Sequence, residues 1–124
     1  MKKAIATTNA PGAIGPYSQG IEAGETVYCS GQLPLNPATG EMGKDIKEMT
    51  TNSLNNLKAI LAENGMTMDH VVKTTVFMTD LNDFVAMNET YETFFTAPYP
   101  ARSAVQVAAL PKGAALEIEC IAKK

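Results

Sequence analysis

The sequence predicts an α+β fold in which two helices pack on one face of a mixed β-sheet. Its 124 residues match the length of one domain, so residues 1–124 are expected to form a single unit. Two segments carry apolar residues at helical spacing, and six short segments read as strands. These segments follow the order β-β-β-α-β-α-β-β, which is typical of helices gathered on one side of a sheet.

The first three strands are predicted from short apolar runs separated by turn-forming residues. The segment Asn9 to Pro16 is rich in proline and glycine and predicts a loop after the first strand. Gly24 and Glu25 form the turn between the second and third strands. The predicted strands are Lys3 to Thr7, Ser18 to Ala23 and Thr26 to Leu33, with a loop over Pro34 to Glu41 after them.

The two helices are predicted from the spacing of their apolar residues. Asp45 to Asn64 has a regular apolar face, begins with a pattern that resembles a capping box and is followed by Gly65, a stop signal. Leu81 to Phe95 has an apolar stripe that includes one polar residue, Asn88. The remaining strands are Val71 to Thr79, Ala101 to Ala109 and Ala115 to Ala122, the last two being joined by a turn over Leu110 to Gly113.

Composition and charge exclude several classes of function. The net charge is −3 and the pI about 5.1, so there is no basic footprint for nucleic acid. No apolar run approaches the ~18 residues of a membrane span, and the residues after the initial Met-Lys-Lys are too polar for a signal peptide, so we expect a cytoplasmic protein. The single histidine, His70, argues against a zinc site. Cys29 and Cys120 are predicted to be reduced, buried thiols.

The last two predicted strands carry the side chains that could take part in a reaction. Arg102 is the only arginine of the chain. Alternation places it on one strand face with Ala104 and Gln106, and it places Glu117 and Glu119 together on the polar face of the next strand. If the helices cover the apolar faces, Arg102 and Glu117 share the opposite face. Because that face mixes small apolar residues with few charges, we expect a second copy of the chain to cover it.

An arginine and a glutamate on one face have two interpretations. A guanidinium grips a carboxylate through two parallel hydrogen bonds, and a nearby carboxylate can accept a proton from water. The two residues could equally form a cross-strand salt bridge, and spacing alone does not decide. Tyr17 could line a pocket or cap the core, and Ser30-Gly31 could approach a ligand or form a bulge. Asn88 needs partners, either backbone groups of its own chain or a neighbouring subunit.

Four segments of the chain resemble those of one known family. They are NAPGAIGPYSQG (Asn9 to Gly20), SGQLPLNPATGE (Ser30 to Glu41), VVKTTVFMTDLNDFVAMNETYETFF (Val71 to Phe95) and PARSAVQVAALPKGAALEIECIA (Pro100 to Ala122). In this order and spacing they resemble the RidA family of reactive-intermediate deaminases, also called the YjgF or L-PSP endoribonuclease family. The resemblance implies a chorismate-mutase-like fold, a homotrimer with clefts between subunits, and hydrolysis of 2-imino acids or enamines to 2-oxo acids and ammonia without cofactor or metal.

The resemblance also implies roles for individual residues. Arg102 would hold the substrate carboxylate, and Glu117 would activate a water molecule or protonate the leaving nitrogen. Tyr17 would line the cleft and face Arg102 across a subunit boundary. Ser30 and Gly31 would contact the end of the substrate.

One position departs from the family pattern, and three other functions remain open. Many family members have cysteine where this chain has Ala104, so a thiol nucleophile is excluded there and residue 104 offers the substrate only backbone groups. Asn88 would lie near the subunit interface. The alternatives are a regulatory trimer that binds small carboxylates without turnover, the ribonuclease of the family's older name, and a chaperone-like role. The acidic pI argues against the ribonuclease.

Overall fold

The computed structural model describes all 124 residues and confirms the predicted order of the elements. The strands and helices are β1 Lys2–Ile5, β2 Gly20–Ala23, β3 Thr26–Gln32, α1 Ile46–Glu63, β4 Val71–Met78, α2 Phe84–Tyr91, β5 Ala101–Gln106 and β6 Leu116–Lys123. They form one six-stranded sheet in the order β1-β2-β3-β6-β4-β5. All neighbouring pairs are antiparallel except β4 and β5, so the sheet is mixed, as predicted.

Helix α1 forms where its capping signals predict it. The Asp45 side chain accepts a hydrogen bond from the backbone N–H of Glu48 at 2.8 Å, which satisfies one of the free donors of the first turn. Gly65 follows the last turn with a φ of +71°, a backbone conformation that glycine adopts without strain. The buried residues of α1 pack against β3 and β6.

The second predicted helix is shorter than expected as a regular α-helix. Leu81–Asp83 and Glu92–Phe94 are single 3₁₀ turns, and only Phe84–Tyr91 between them is α-helical. The Asp80 side chain accepts from the N–H of Asn82 at 2.9 Å and so starts the first tight turn. Tight turns of this kind are common at helix ends, and apolar spacing does not distinguish them from α-helix. Likewise, β5 ends at Gln106, three residues before the predicted Ala109.

The structure contradicts the predicted position of Arg102. Strand β4 lies between β5 and β6, so the last two strands are not partners. Arg102 is in register with Thr74, and Thr74 is in register with Cys120. Thr74 and Cys120 are buried under the helices, so Arg102 faces the helices too. Alternation did not predict this because β5 carries small apolar residues on both faces and is an edge strand.

The face of the sheet without helices carries Glu117 and Glu119, as predicted. The intervening residues of β6 are buried in the core, and these two glutamates alternate with them. The same face exposes apolar side chains, with Tyr28 49 % and Val105 42 % exposed. We call this surface the open face. Its apolar side chains are exposed to solvent in the isolated chain.

The core lies between the sheet and the helices. It is one cluster of 20 buried residues, and it includes Cys29 and Cys120 as free, buried thiols, as predicted. None of the helices has the length and apolar character needed to cross a lipid bilayer.

Candidate functional site

The guanidinium of Arg102 is held by three side chains on one face of α2. Asn88 Oδ1 accepts a hydrogen bond from Arg102 Nη1 at 2.7 Å. Arg102 Cζ lies 4.8 Å from the ring centroid of Tyr91 and 5.4 Å from that of Phe84. Residues 84, 88 and 91 share a helix face because they are four and three positions apart. The helix face that was predicted as an apolar stripe therefore binds the Arg102 cation through two aromatic rings and one amide oxygen.

This arrangement supplies the partner that Asn88 needs. The sequence left two possibilities, backbone groups of its own chain or a neighbouring subunit. Within the single chain its side-chain partner is the Arg102 guanidinium and not a backbone group. An amide oxygen holds a guanidinium in place without neutralising its charge.

Arg102 has no carboxylate partner within the chain. The ion pairs of the structure are Lys47–Glu89 and Lys124–Glu22, and neither includes Arg102. The Arg102–Glu117 salt bridge considered from the sequence is therefore absent. The side chain is partly buried and donates one side-chain hydrogen bond, so most of its N–H groups are free. A partly buried guanidinium with free donors is an anion-binding group.

A cavity of about 490 Å³ opens at this guanidinium. Tyr99 and Pro100, from the segment that leads into β5, complete its wall beside α2. We call the group formed by Arg102, Asn88, Tyr91 and Phe84 the Arg102 half-site.

Glu117 lies against the backbone of Gly31 on the open face. A Cβ atom added to Gly31 would lie 2.8 Å from both Cδ and Oε1 of Glu117. Only glycine therefore leaves room for the carboxylate across this part of β3. The register between β3 and β6 also shifts between Cys29 and Gln32, so Ser30 and Gly31 lie in a bulge. The bulge predicted for this pair is therefore present, and the group that approaches the Gly31 backbone within the chain is the Glu117 side chain.

The carboxyl group of Glu117 is partly buried and has neither a hydrogen-bond partner nor an ion-pair partner in the chain. Burial raises its pKa above the usual value, and repulsion from Glu119 raises the pKa further. A carboxylate with a raised pKa is a better proton acceptor and donor for a reaction in neutral solution.

Tyr17 and Ser30 line the same cavity as Glu117. This cavity also has a volume of about 490 Å³, and its apolar wall includes Ile14 and Leu33. Tyr17 is 51 % exposed, so it lines the cavity and does not cap the core. The Ser30 hydroxyl donates to the Ser18 carbonyl at 2.6 Å, which leaves it able to accept but not donate a further hydrogen bond.

Sequence reasoning missed Gln19, which fixes the loop beside Tyr17. Its side-chain amide donates to the carbonyl oxygens of Thr7, Ala10 and Pro11, and its Oε1 accepts from the Thr7 N–H at 2.7 Å. Gln19 is 4 % exposed. Its only signal in the sequence was a long polar side chain next to a glycine- and proline-rich loop.

The predicted site residues form two separate groups in one chain. We call Glu117, Gly31, Ser30 and Tyr17 the Glu117 half-site. It lies on the open face, whereas the Arg102 half-site lies on the helix side of the sheet and in another cavity. Ala104 lines neither cavity and packs against the core. The predicted pairing of Arg102 and Glu117 on one face is therefore wrong within a single chain.

The sequence also matches a known protein family. A family model described as Endoribonuclease L-PSP matches residues 7–124. The chain belongs to this family, which is also known as the RidA or YjgF family.

Members of the RidA family are similar to this chain over nearly its whole length. The 2-iminobutanoate/2-iminopropanoate deaminase of Escherichia coli K12 is 54 % identical, with 98 % of each chain covered. The crystal structure of E. coli TdcF with bound serine has a TM-score of 0.95 at 51 % identity, with 98 % of both chains covered. That of the E. coli YjgF gene product has a TM-score of 0.95 at 53 % identity and the same coverage. The fold described above is therefore that of the RidA family.

Proposed function

We propose that this protein hydrolyses 2-imino acids and their enamine tautomers, such as 2-iminobutanoate and 2-aminoacrylate, to 2-oxo acids and ammonia. The observation that carries the proposal is the partly buried Arg102 guanidinium, which α2 holds in place without neutralising it. Two relatives support the proposal. One is named a 2-iminobutanoate/2-iminopropanoate deaminase, and another binds serine, a small molecule with the carboxylate and nitrogen of such substrates.

We also propose that the active site is completed by a second subunit. The two half-sites of one chain lie on opposite sides of the sheet, so one substrate cannot contact both within that chain. In a homotrimer, the Arg102 half-site of each subunit would face the Glu117 half-site of its neighbour, which makes three equivalent clefts. The exposed Tyr28 and Val105 of the open face support this assembly, because subunit contact would bury them.

In the proposed reaction, Arg102 binds the substrate carboxylate through its free N–H edge and fixes the imine carbon near Glu117. The Glu117 carboxylate takes a proton from a water molecule while the water oxygen bonds to the imine carbon. Glu117 then gives that proton to the imine nitrogen as the π bond of the C=N group opens, so a tetrahedral carbinolamine forms and Glu117 is ionised again. Glu117 next accepts the hydroxyl proton of the carbinolamine and passes it to the amino nitrogen. The C–N bond breaks as the C=O bond forms, so ammonia leaves and the 2-oxo acid remains.

The other residues shape the cleft. Tyr17 provides an aromatic wall, and Ser30 and Gly31 contact the substrate at the bulge. Asn88 contributes by holding Arg102. Ala104 carries no thiol, so the nucleophile is water. Imines hydrolyse unaided in water, so positioning and proton transfer are the help that the reaction needs. This chemistry calls for no metal or organic cofactor.

The competing proposal is a regulatory trimer that binds small carboxylates without turnover, and Glu117→Gln distinguishes the two. In an enzyme, this variant loses most of its turnover of 2-iminobutanoate but keeps its affinity for 2-oxobutanoate, since Arg102 is intact. Turnover would be followed as 2-oxobutanoate release with threonine dehydratase supplying the imine, and affinity by titration calorimetry. A wild-type protein that binds 2-oxobutanoate but leaves the hydrolysis rate at its uncatalysed value would support the regulatory trimer.

A further inference from the structure

One buried contact lies directly behind the Arg102 half-site. Thr74 Oγ1 and the Tyr91 hydroxyl form a buried hydrogen bond of 2.7 Å between two side chains. Thr74 is fully buried, and Tyr91 is 5 % exposed. The hydrogen bond satisfies both buried hydroxyl groups. A valine and a phenylalanine would fill nearly the same volume, and replacing both partners in this way can leave stability nearly unchanged.

The position of this pair connects it to the guanidinium. Thr74 is the β4 residue in register with Arg102, and Tyr91 is the α2 residue whose ring centroid lies 4.8 Å from Arg102 Cζ. The ring is also packed against Phe95, with a centroid distance of 4.8 Å and an interplanar angle of 40°. The Tyr91 hydroxyl is therefore hydrogen-bonded to the sheet, and the Tyr91 ring packs against the guanidinium of Arg102.

Three side chains set the position of the guanidinium. Asn88 accepts a hydrogen bond from Nη1, and the ring centroids of Tyr91 and Phe84 lie 4.8 Å and 5.4 Å from Cζ. The attraction between a cation and an aromatic ring depends on the position of the cation over the ring face, so movement of the ring changes where the guanidinium lies. The hydrogen bond to Thr74 limits movement of the Tyr91 ring. Displacing a substrate-binding group by about 1 Å can slow a reaction strongly.

We propose that Thr74 and Tyr91 are positioning residues for Arg102: their hydrogen bond fixes the ring on which the guanidinium rests and so aims its free N–H edge at the substrate carboxylate. Their importance for turnover rests on the proposed function. The orientation of Arg102 itself does not depend on that function and can be measured separately.

The kinetic test uses variants that remove or restore one hydroxyl at nearly constant volume. Thr74→Val and Tyr91→Phe each break the hydrogen bond, and we expect each to raise KM for 2-iminobutanoate about fivefold, the factor that corresponds to one net hydrogen bond, with a smaller change in kcat. Thr74→Ser keeps a hydroxyl and should restore a KM near that of the wild type.

The double variant Thr74→Val/Tyr91→Phe separates positioning from stability. Each single variant leaves one buried hydroxyl without a partner and loses stability, whereas the double variant leaves none and should recover it. A positioning role predicts that KM stays raised in the double variant, because the ring is still not tied to the sheet. A purely structural role predicts that KM returns to the wild-type value together with the melting temperature.

A spectroscopic test needs no turnover. Arg102 is the only arginine, so the guanidinium ¹⁵N signals of the labelled protein belong to one side chain. A held guanidinium shows separate Nη signals, and a freely rotating one shows an averaged signal. We expect separate signals in the wild type and in Thr74→Ser, and averaging or broadening in Thr74→Val and in the double variant.

The outcomes for the two proposals are distinct. Wild-type Nη signals together with unchanged affinity for 2-oxobutanoate in the folded double variant would overturn the positioning role, whether or not the protein is an enzyme. A wild-type protein without turnover, in which the double variant still averages the Nη signals and weakens 2-oxobutanoate binding, would overturn the deaminase but support the positioning of Arg102.

Discussion

Two inactive variants should restore each other's activity if the active site lies between subunits. Arg102→Ala removes the carboxylate-binding group but keeps Glu117, and Glu117→Gln does the reverse. Because the two residues lie on opposite faces of the sheet, each cleft would draw them from different chains. A mixed assembly would therefore contain some clefts with both wild-type residues.

The expected magnitude follows from the symmetry of the assembly. With random 1:1 mixing, the subunit that donates Arg102 to a cleft is wild-type at this position in about half of the cases, and the subunit that donates Glu117 is wild-type there in about half. About a quarter of the clefts are then complete. Each mixed trimer contains one such cleft, so the mixture should show about 25 % of wild-type kcat with an unchanged KM.

The assay is 2-oxobutanoate release by differently tagged variants that are co-expressed and purified through both tags in sequence. This selection removes the pure trimers, so about a third of the clefts should be complete. The matched control replaces the Glu117→Gln subunit by the double variant Arg102→Ala/Glu117→Gln, which cannot complete any cleft. Activity of the doubly tagged species no higher than that control would refute the shared site.

Two further predictions concern Glu117. Burial and then repulsion from Glu119 raise the pKa of Glu117 above its ordinary value of 4.5. Because a general base must be ionised, the acid limb of the kcat/KM profile should lie above that value. Glu119→Gln should lower the pKa and move this limb to lower pH, whereas an acid limb that does not move would exclude the repulsion. Gly31→Ala places a Cβ 2.8 Å from the Glu117 carboxyl group, so the Glu117 side chain must turn away. We expect kcat to fall at least about tenfold, with little change in melting temperature. In the Glu117→Gln background the same substitution should cause little additional loss of activity, and a full additional loss would show that Gly31 acts independently of Glu117.

The sequence was most informative where periodicity and capping agreed. Helix α1 has a continuous apolar face between Asp45 and Gly65, and the structure confirms both signals. The alternation of β6 was equally clear, because every second residue is apolar and buried. The sequence also identified Arg102 and Glu117 as candidate site residues, because Arg102 is the only arginine and Glu117 lies on a predicted strand close to it in sequence.

The relation between Arg102 and Glu117 could not be read from the sequence. It depends on the strand order, in which β4 lies between β5 and β6, and on which face of β5 meets the helices. Both faces of β5 are small and weakly polar, so alternation gives no preference. The contact between Tyr91 and Arg102 and the hydrogen bond between Tyr91 and Thr74 were not predicted either. Tyr91 belonged to an apolar helix stripe, and Thr74 is a β-branched residue typical of any strand.

The most direct test of the account is 2-oxobutanoate release from 2-iminobutanoate, generated in place by threonine dehydratase, in the presence of the wild type and of Arg102→Ala and Arg102→Lys. The oligomeric state of each protein would be checked by light scattering. The account predicts that the wild type accelerates hydrolysis, that Arg102→Ala of unchanged oligomeric state does not, and that Arg102→Lys recovers only part of the rate because it lacks the two-pronged donor. A wild-type rate equal to the uncatalysed rate, or full activity in Arg102→Ala, would contradict it.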